Sequence, residues 1–505
     1  MKIAKSKSLL SNAAWNIVSV AVSAIAGFIL VPIILREIGT ENFGVYAIIL
    51  MIGGFAQAQS LGLGEATLKY VSQYYARKDI EGVNRVLGAT LSVYVFSGVL
   101  ITGIIVGFAS IIISWFNINP LHINNATIAL RIAGISFLIS IFGAALKTIP
   151  EATQRYDVLS KYNMVMMVIR YIAMYFIATG GGEIIGLTYL ILFSAIVDIF
   201  TYGFLAKRLI PGIKISPNFD KAGIQEVFSF GVFSFINDLV QRASNYVDQL
   251  VLGLYFTASS VAYLNAPKDL ISRGQGLTGA AAQALFPRFS SMDEDVEMQD
   301  LYVTSLWVLS MLSMVIFIPI AILIPSFLSI WLTPDFAENS ADFARFFSLG
   351  VAFNGGVSAY FALLKGTGRM KLLTSIISTL TILSGISTAI LVYNFGIVGS
   401  GIRMLLFSWV GSFLCLYVGK KVFNDFKTFR VAVETTILPV LMSIVFFVMS
   451  SLIIDKIKID SWFELVVLYL ILFIGIVVCQ VGLNYLIYRK SGRFFIVLNR
   501  FKLRF

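Results

Sequence analysis

The chain has 505 residues, of which 58% are apolar or aromatic and only 13% are charged, against about 25% charged residues in an ordinary soluble domain. This balance excludes a water-soluble globular enzyme and a disordered chain, and it predicts an all-α polytopic membrane protein. Its two cysteines lie inside apolar runs and its histidine is single. The chain therefore offers no disulfide framework and no zinc site of clustered Cys and His.

Apolar stretches long enough to cross about 30 Å of hydrocarbon as helices, roughly 20 residues each, recur along the whole chain. Fourteen spans are predicted, approximately at 10–35, 42–64, 86–113, 125–147, 161–180, 184–206, 226–254, 260–287, 301–331, 343–364, 372–393, 396–419, 431–454 and 463–488. Two parallel six-helix bundles are expected, in residues 1–210 and 211–425. Residues 426–488 hold the appended helix pair, spans thirteen and fourteen, and residues 489–505 form a basic cytoplasmic tail.

The net charge of +11 is explained by topology. If residue 1 is cytoplasmic, 28 of the 38 Lys and Arg residues lie in cytoplasmic segments, 4 lie in outer loops and 6 lie within spans. This distribution follows the positive-inside rule, so nucleic-acid binding is not expected. We expect a multi-pass protein of the cell membrane, plasma or inner, with both termini in the cytoplasm.

A short internal similarity supports the two-bundle arrangement. Residues 39–46 (GTENFGVY) share two of eight positions with residues 256–263 (FTASSVAY), at an offset of 217. Spans one and seven both begin in the cytoplasm, so each would open one bundle. Parallel repeats of this kind are a transporter architecture, with the substrate site at the interface of the halves.

Three spans carry polar side chains on one face. At 100° per residue, the polar residues of span seven fall within an arc of about 160°, and spans eight and one show a similar pattern. These residues are Asn237, Asp238, Gln241, Arg242, Ser244, Asn245 and Asp248 in span seven, Asn265, Asp269, Ser272, Arg273, Gly276 and Gln283 in span eight, and Asn12, Asn16, Ser19 and Ser23 in span one. We expect these faces to be wet.

Ionisable residues within the spans are expensive. They are Arg131, Arg170, Asp198, Asp238, Arg242, Asp248, Lys268, Asp269, Arg273 and Arg403. Facing lipid, they would together cost on the order of 30 kcal/mol, which exceeds typical fold stability, so most of them must face protein or water. Arg131 lies near an outer boundary, where its side chain can snorkel. Asp238 and Arg242, four residues apart, also fit a buried pair that only neutralises itself.

Enzymatic functions fit the sequence poorly. A Ser-His-Asp triad would have to recruit His122 from a short outer loop. A membrane enzyme that transfers or polymerises sugars would be expected to place carboxylates in a sizeable extramembrane loop, and the sequence predicts none. It also contains no Gly-rich phosphate loop followed by Lys and Ser/Thr. We therefore expect no catalytic residue, no metal and no cofactor.

A family resemblance is carried by Ser11-Asn12 at the start of span one, by residues 35–46 (LREIGTENFGVY) and by Asn237-Asp238 in span seven. With these motifs the sequence resembles the polysaccharide and oligosaccharide-lipid flippases of the multidrug/oligosaccharidyl-lipid/polysaccharide (MOP) exporter superfamily. The resemblance implies a V-shaped central cavity and alternating access that carries a polyprenyl-linked glycan outward. It also implies that spans thirteen and fourteen suit contact with the lipid tail.

A polyprenyl-(pyro)phosphate-linked oligosaccharide presents negative charge and many hydroxyls, which call for cations and amides. The candidates for the phosphate are Arg242, Arg273, Lys268, Arg170 and Arg403, and those for the sugars are Asn12, Asn16, Asn237, Gln241, Asn245, Asn265 and Asp269. Asp238 and Asp248 are candidates for coupling to a proton or sodium ion. Membrane lipids and polysaccharide assembly proteins are the expected partners.

Three alternatives stay open. A multidrug or cation antiporter of the same superfamily would need an acidic cavity, whereas the spans hold six basic and four acidic residues. A peptidoglycan-precursor flippase would share nearly all of these features. An integral-membrane glycan enzyme is the alternative from a different class.

Reporter fusions test the predicted topology. Because 28 of the 32 basic residues outside the spans lie on one side, reporters fused near Asp79, near Lys214 and at the C-terminus should all report cytoplasm. Alkaline phosphatase and green fluorescent protein fusions give opposite signals on the two sides and so control for expression. A periplasmic or extracellular signal at any one position would contradict the fourteen-span arrangement.

Overall fold

A computed structural model describes the backbone of residues 2–57, 63–283, 285–292 and 295–488. Within these ranges, the side chains of residues 2–21, 57, 229–238, 277, 280–281, 283, 286–287 and 483–488 lie outside the description. The described backbone is helical and contains no strand. The predicted all-α fold is therefore confirmed.

Two compact units divide the chain, Met1–Ala262 and Tyr263–Phe505. The helices of the first unit are α1 (Lys2–Gln57), α2 (Leu63–Ala76), α3 (Ile80–Gly107), α4 (Ala109–Ser114), α5 (Pro120–Ala152), α6 (Tyr156–Thr179), α7 (Glu183–Leu209) and α8 (Lys221–Tyr255). Its core lies where α2, α3, α5 and α7 pack together, around Leu87, Tyr94 and Leu146. Val227 of α8 also belongs to this core, which places the N-terminal part of α8 against the first unit's helices.

The second unit continues from α9 (Ala258–Gln283). Its helices are α10 (Leu285–Ser290), α11 (Asp295–Trp331), α12 (Pro334–Phe353), α13 (Val357–Gly366), α14 (Met370–Phe395), α15 (Ile397–Val422), α16 (Thr428–Ala432), α17 (Leu438–Ile454) and α18 (Trp462–Tyr488), with a π-helical turn, Val433–Ile437, before α17. In the core, the buried Tyr302 hydroxyl of α11 donates to the Cys415 carbonyl of α15, 2.6 Å away. The Gln480 amide of α18 donates to the Pro439 carbonyl and the Ser443 hydroxyl and so joins α18 to α17.

Among the described residues, ten helices are long and apolar enough to cross a membrane, and the bent pair α12 and α13 brings the number to eleven. The chain is thus a multi-span membrane protein. Helices α8 and α9 occupy predicted spans seven and eight but fall outside this group. The count of fourteen is consistent with the helices but stays a prediction, as do the boundaries at residues 210 and 425.

The long helix α1 breaks at Gly39, where φ is 82° and ψ is 159°. Only glycine adopts such a backbone without steric cost. Another break separates α8 from α9 at Phe256, whose φ and ψ are −118° and −129°. The two breaks are 217 residues apart, the same offset as the repeat seen in the sequence. Both copies of the repeated segment therefore begin at a helix break.

The turn after Gly39 packs closely on the start of α9. At Gly44 a Cβ atom would overlap the carbonyl oxygen of Ala258, and a backbone carbonyl cannot turn aside as a flexible side chain can. Gly44 lies within the 39–46 motif, so this close approach gives a physical reason for a small residue at that position.

Substitution of Gly44 tests this packing. Gly44→Ala should lower the free energy of unfolding by about 1–3 kcal/mol, because the added methyl group must displace backbone. Gly103→Ala is the matched control, since Gly103 is exposed on α3 and a Cβ there meets no atom within 4 Å. Thermal unfolding of the purified protein in detergent measures both changes. Equal unfolding temperatures for the two variants would contradict the contact.

Candidate functional site

The middle of α8 lies against the second part of α1. The Arg242 guanidinium donates from Nη1 to the Gly54 carbonyl oxygen, 3.0 Å away. One helical turn further on, the Tyr246 ring covers Gly54, where a Cβ atom would overlap it, and packs on Phe55 with ring centroids 5.7 Å apart. Arg242 is thus anchored to a backbone carbonyl, and this bond occupies one of its five N–H donors.

The polar face of α8, which holds Gln241, Asn245 and Asp248, is not uniformly exposed. Asn245 is exposed and Gln241 is half-buried, as a face in contact with water requires. Asp248 is only 1% exposed, and one of its carboxylate oxygens accepts from the Gln249 backbone amide at 2.9 Å. The helical arc did not predict that the Asp248 end of this face is enclosed by protein.

Helix α9 carries its predicted candidates at different depths. Asp269 and Arg273, four residues apart, are exposed, whereas Lys268 is half-buried and Asn265 is 8% exposed. The exposed pair gives α9 a charged face of both signs. Arg403, on α15, donates from Nη1 to the Ser384 hydroxyl of α14 at 3.1 Å.

Arg170 forms an ion pair that the sequence analysis did not identify. Its Nη2 lies 2.6 Å from Oδ2 of Asp198, on the neighbouring helix α7. The other carboxylate oxygen of Asp198 accepts from the Tyr162 hydroxyl, also at 2.6 Å. Asp198 is thus hydrogen-bonded on both oxygens, and Arg170 has a counter-charge of its own.

A second cluster joins the C-terminal end of α2 to the N-terminal parts of α3 and α8. The Tyr74 hydroxyl donates to the Glu226 carboxylate at 2.9 Å and accepts from Arg85 at 2.8 Å. Arg85 and Glu226 lie 3.7 Å apart as an ion pair. The hydrogen bond to Glu226 raises the pKa of Tyr74 above its ordinary value of 10.0. The sequence analysis did not find this cluster, because Tyr74 and Glu226 are separated by 152 residues.

The candidates Asn12, Asn16, Asn237 and Asp238 lie outside the residues whose side chains are described. The first unit contains Gln241, Arg242, Asn245, Asp248 and Arg170, and the second contains Asn265, Lys268, Asp269, Arg273 and Arg403. The roles of these residues stay predictions.

Sequence comparison identifies relatives across most of the chain. The family described as "Polysaccharide biosynthesis protein" matches residues 9–293. The "Putative O-antigen transporter" of Shigella flexneri is 20% identical over 422 residues, which cover 81% of this chain and 99% of that protein. An uncharacterized membrane protein of Methanocaldococcus jannaschii is 23% identical over 427 residues, covering 77% of this chain and 79% of that protein.

Structure comparison shows the fold. The lipid II flippase MurJ, in an inward closed conformation, superposes with a TM-score of 0.71 at 15% identity over 92% of this chain and 98% of that one. An inward-facing multidrug resistance MATE family transporter of the MOP superfamily superposes with a TM-score of 0.57 at 16% identity, over 78% and 94% of the two chains. The chain has the fold of these two transporters.

Thiol labelling tests whether the polar face of α8 is wet. Asn245 and Leu239 are both exposed on α8, Leu239 by 40%, but they lie about 120° apart around the helix. With Cys415 and Cys479 replaced by Ala, Asn245→Cys should react with a water-soluble, membrane-impermeant maleimide. Leu239→Cys should not, because lipid excludes both the reagent and the thiolate. Equal labelling of the two positions would contradict a wet face.

Proposed function

The chain belongs to the polysaccharide biosynthesis protein family, and from this premise we propose that it is a flippase for a polyprenyl-(pyro)phosphate-linked oligosaccharide. The substrate moves from the cytoplasmic to the outer leaflet of the cell membrane by alternating access. Two relatives support the proposal by name, an O-antigen transporter and a lipid II flippase with the same fold. On this proposal no covalent bond changes, so the protein is not an enzyme.

The main support for the proposal is that cationic side chains lie on membrane-embedded helices. Arg242 lies on the polar face of α8, and Arg273 is exposed on α9. Such side chains are costly in a membrane unless they serve a pathway or a partner. Guanidinium groups bind phosphate oxygens with paired hydrogen bonds, so these two arginines suit a pyrophosphate ligand. An antiporter for cationic drugs would instead require a net acidic lining.

The polyprenyl tail needs an apolar surface rather than a pocket. Helices α17 and α18 offer one, because many of their large apolar side chains are exposed. These include Leu441, Val445, Met449, Phe463, Ile471, Ile474 and Val478. The tail can stay in the bilayer along this pair while the glycan passes through the protein. Asp248, which is almost fully buried, is the described candidate for coupling to a proton or sodium ion, and glycan-assembly proteins are the expected partners.

Depletion of the protein in its native host tests the proposal. The lipid-linked oligosaccharide should accumulate with its sugars in the cytoplasmic leaflet, where a membrane-impermeant periodate reagent cannot oxidise them in intact cells. Restoring the protein should make the same pool accessible to the reagent. If the pool becomes accessible at the same rate without the protein, the proposed function is wrong.

Substitution of the two arginines tests their role in phosphate binding. Arg242→Gln and Arg273→Gln each remove a charge-assisted hydrogen bond worth roughly 1.5–3 kcal/mol, so export of glycan per inserted protein should fall about 10- to 100-fold in depleted cells. Lys at either position keeps the charge but not the planar fork and should give intermediate export. Arg131→Gln is the matched control, since Arg131 is also an exposed arginine within a span.

The same assay separates phosphate binding from charge neutralisation. If Arg242 only neutralises Asp238, the double change Arg242→Gln with Asp238→Asn should restore full export, because neither charge is then stranded. Full export by the double variant would therefore make Arg242 structural. Full export by Arg273→Gln as well would contradict the phosphate assignment.

A further inference from the structure

A helix break lies in the middle of predicted span ten. Helices α12 and α13 bend by 43° across the residues between Phe353 and Val357. The Ser313 hydroxyl of α11 donates to the Val351 carbonyl at 2.8 Å, and the Ser412 hydroxyl of α15 donates to the Phe353 carbonyl at 3.5 Å. Two neighbouring helices thus supply donors for carbonyls around the break. Non-helical backbone at membrane depth is tolerated only where it is buried in protein or lines a water-filled cavity.

A cavity of about 260 Å³ opens at this break, within the second unit. Its polar lining consists of Gln275 and Thr278 from α9, Ser313 from α11, Asn354 from the break and Ser358 from α13, and Phe361 adds an aromatic ring. The hydroxyls of Thr278 and Ser313 are occupied by backbone carbonyls. Within the part of the chain that the structure describes, the side chains of Gln275, Asn354 and Ser358 have no hydrogen-bond partner. Two amides and one hydroxyl are therefore available to a ligand.

The lining determines the charge of that ligand. Among the described residues that line the cavity there is no Lys, Arg, Asp, Glu or His. An ion of either sign would lack a counter-charge in a low-dielectric setting, which is costly. The ligand that fits is neutral and rich in hydrogen-bonding groups.

The volume determines its size. At about 30 Å³ per water molecule, the cavity is far larger than a dehydrated cation, yet it lies below the range of roughly 300–1,000 Å³ typical of sites for drug-sized ligands. A single sugar ring fits between these limits. Amides and a hydroxyl pair with sugar hydroxyl or acetamido groups, and an aromatic ring covers the apolar face of a pyranose.

We propose that this cavity is a subsite for one neutral monosaccharide unit of the transported glycan, with Asn354, Gln275 and Ser358 as its hydrogen-bonding residues and Phe361 as its apolar wall. The proposal rests on the proposed function and adds a substrate class to it. The sugar-binding candidates whose side chains the structure describes, Gln241, Asn245, Asn265 and Asp269, are not among its lining residues. Discontinuous helices form substrate sites in other transporters for the same physical reason, because their free backbone and side-chain groups face a cavity.

Saturation-transfer NMR on the full-length protein in lipid nanodiscs tests the subsite. The probes are glucose and N-acetylglucosamine, with glucuronic acid as the anionic counterpart. The wild-type protein should transfer saturation to at least one neutral sugar and not to glucuronic acid. Asn354→Leu and Gln275→Leu should each abolish the transfer. Asn394→Leu is the matched control, since Asn394 lies at the exposed end of α14 and outside the cavity, and it should leave the transfer unchanged.

Three results would overturn the subsite. The first is saturation transfer to glucuronic acid alone. The second is no transfer to either neutral sugar, as expected if only water fills the cavity. The third is equal transfer by the wild-type protein and both cavity variants. Thermal unfolding of each variant guards against misfolding, and Ser358→Ala provides a milder change that should weaken transfer without abolishing it.

A transport measurement separates the subsite from the proposed function. In proteoliposomes, Asn354→Leu should slow transfer of the lipid-linked oligosaccharide about five- to tenfold relative to Asn394→Leu, as expected for one or two lost hydrogen bonds. If both variants transfer at the wild-type rate, the subsite is wrong and the proposed function stands. If the wild-type protein itself transfers nothing, the proposed function is wrong, and the subsite, as part of it, is wrong too.

Discussion

A bilayer core supplies no hydrogen bonds, so every backbone group in a membrane span must find its partner within the protein. This constraint limits where the helices of this chain can break. The break at Gly39 uses the one residue that tolerates a φ of 82°, and the break between α12 and α13 has nearby carbonyls bonded by Ser313 and Ser412. Breaks are therefore places where polar groups gather, and the neutral cavity lies at one of them.

The same constraint governs the cations. Arg170 is neutralised by Asp198, Arg242 donates to the Gly54 carbonyl, and Arg403 donates to Ser384. Only the first of these described contacts cancels the charge, since a carbonyl or a hydroxyl leaves the positive potential in place. The charge of Arg170 is therefore balanced within the packing of α6 and α7. The sequence alone gave no reason to distinguish these three arginines as phosphate candidates.

Hydropathy located the helices well because each span forms its backbone hydrogen bonds within itself. A stretch of about 20 residues of sequence is therefore enough to identify a span. The Arg170–Asp198 ion pair could not be predicted from the sequence alone. A three-residue turn joins α6 to α7, but the partners lie at unequal distances from it, and only the packing of the two helices shows that the long arginine side chain bridges the difference. The neutral cavity was equally hidden, since Gln275, Asn354 and Ser358 come from separate segments and form no periodic pattern. Gly44, by contrast, lies within the 39–46 motif that was recognised in the sequence. Only the structure shows that this position contacts Ala258 and therefore needs a small residue.

The central claim is that this chain alone moves a glycan-bearing polyprenyl lipid across a bilayer. The most direct measurement reconstitutes the purified wild-type protein in liposomes that carry a fluorescent polyprenyl-pyrophosphate oligosaccharide, and follows its arrival in the opposite leaflet with a membrane-impermeant quencher. We expect transfer to be faster than in protein-free liposomes and to rise with the amount of inserted protein. Transfer no faster than in protein-free liposomes, from protein shown to be folded, would contradict the account.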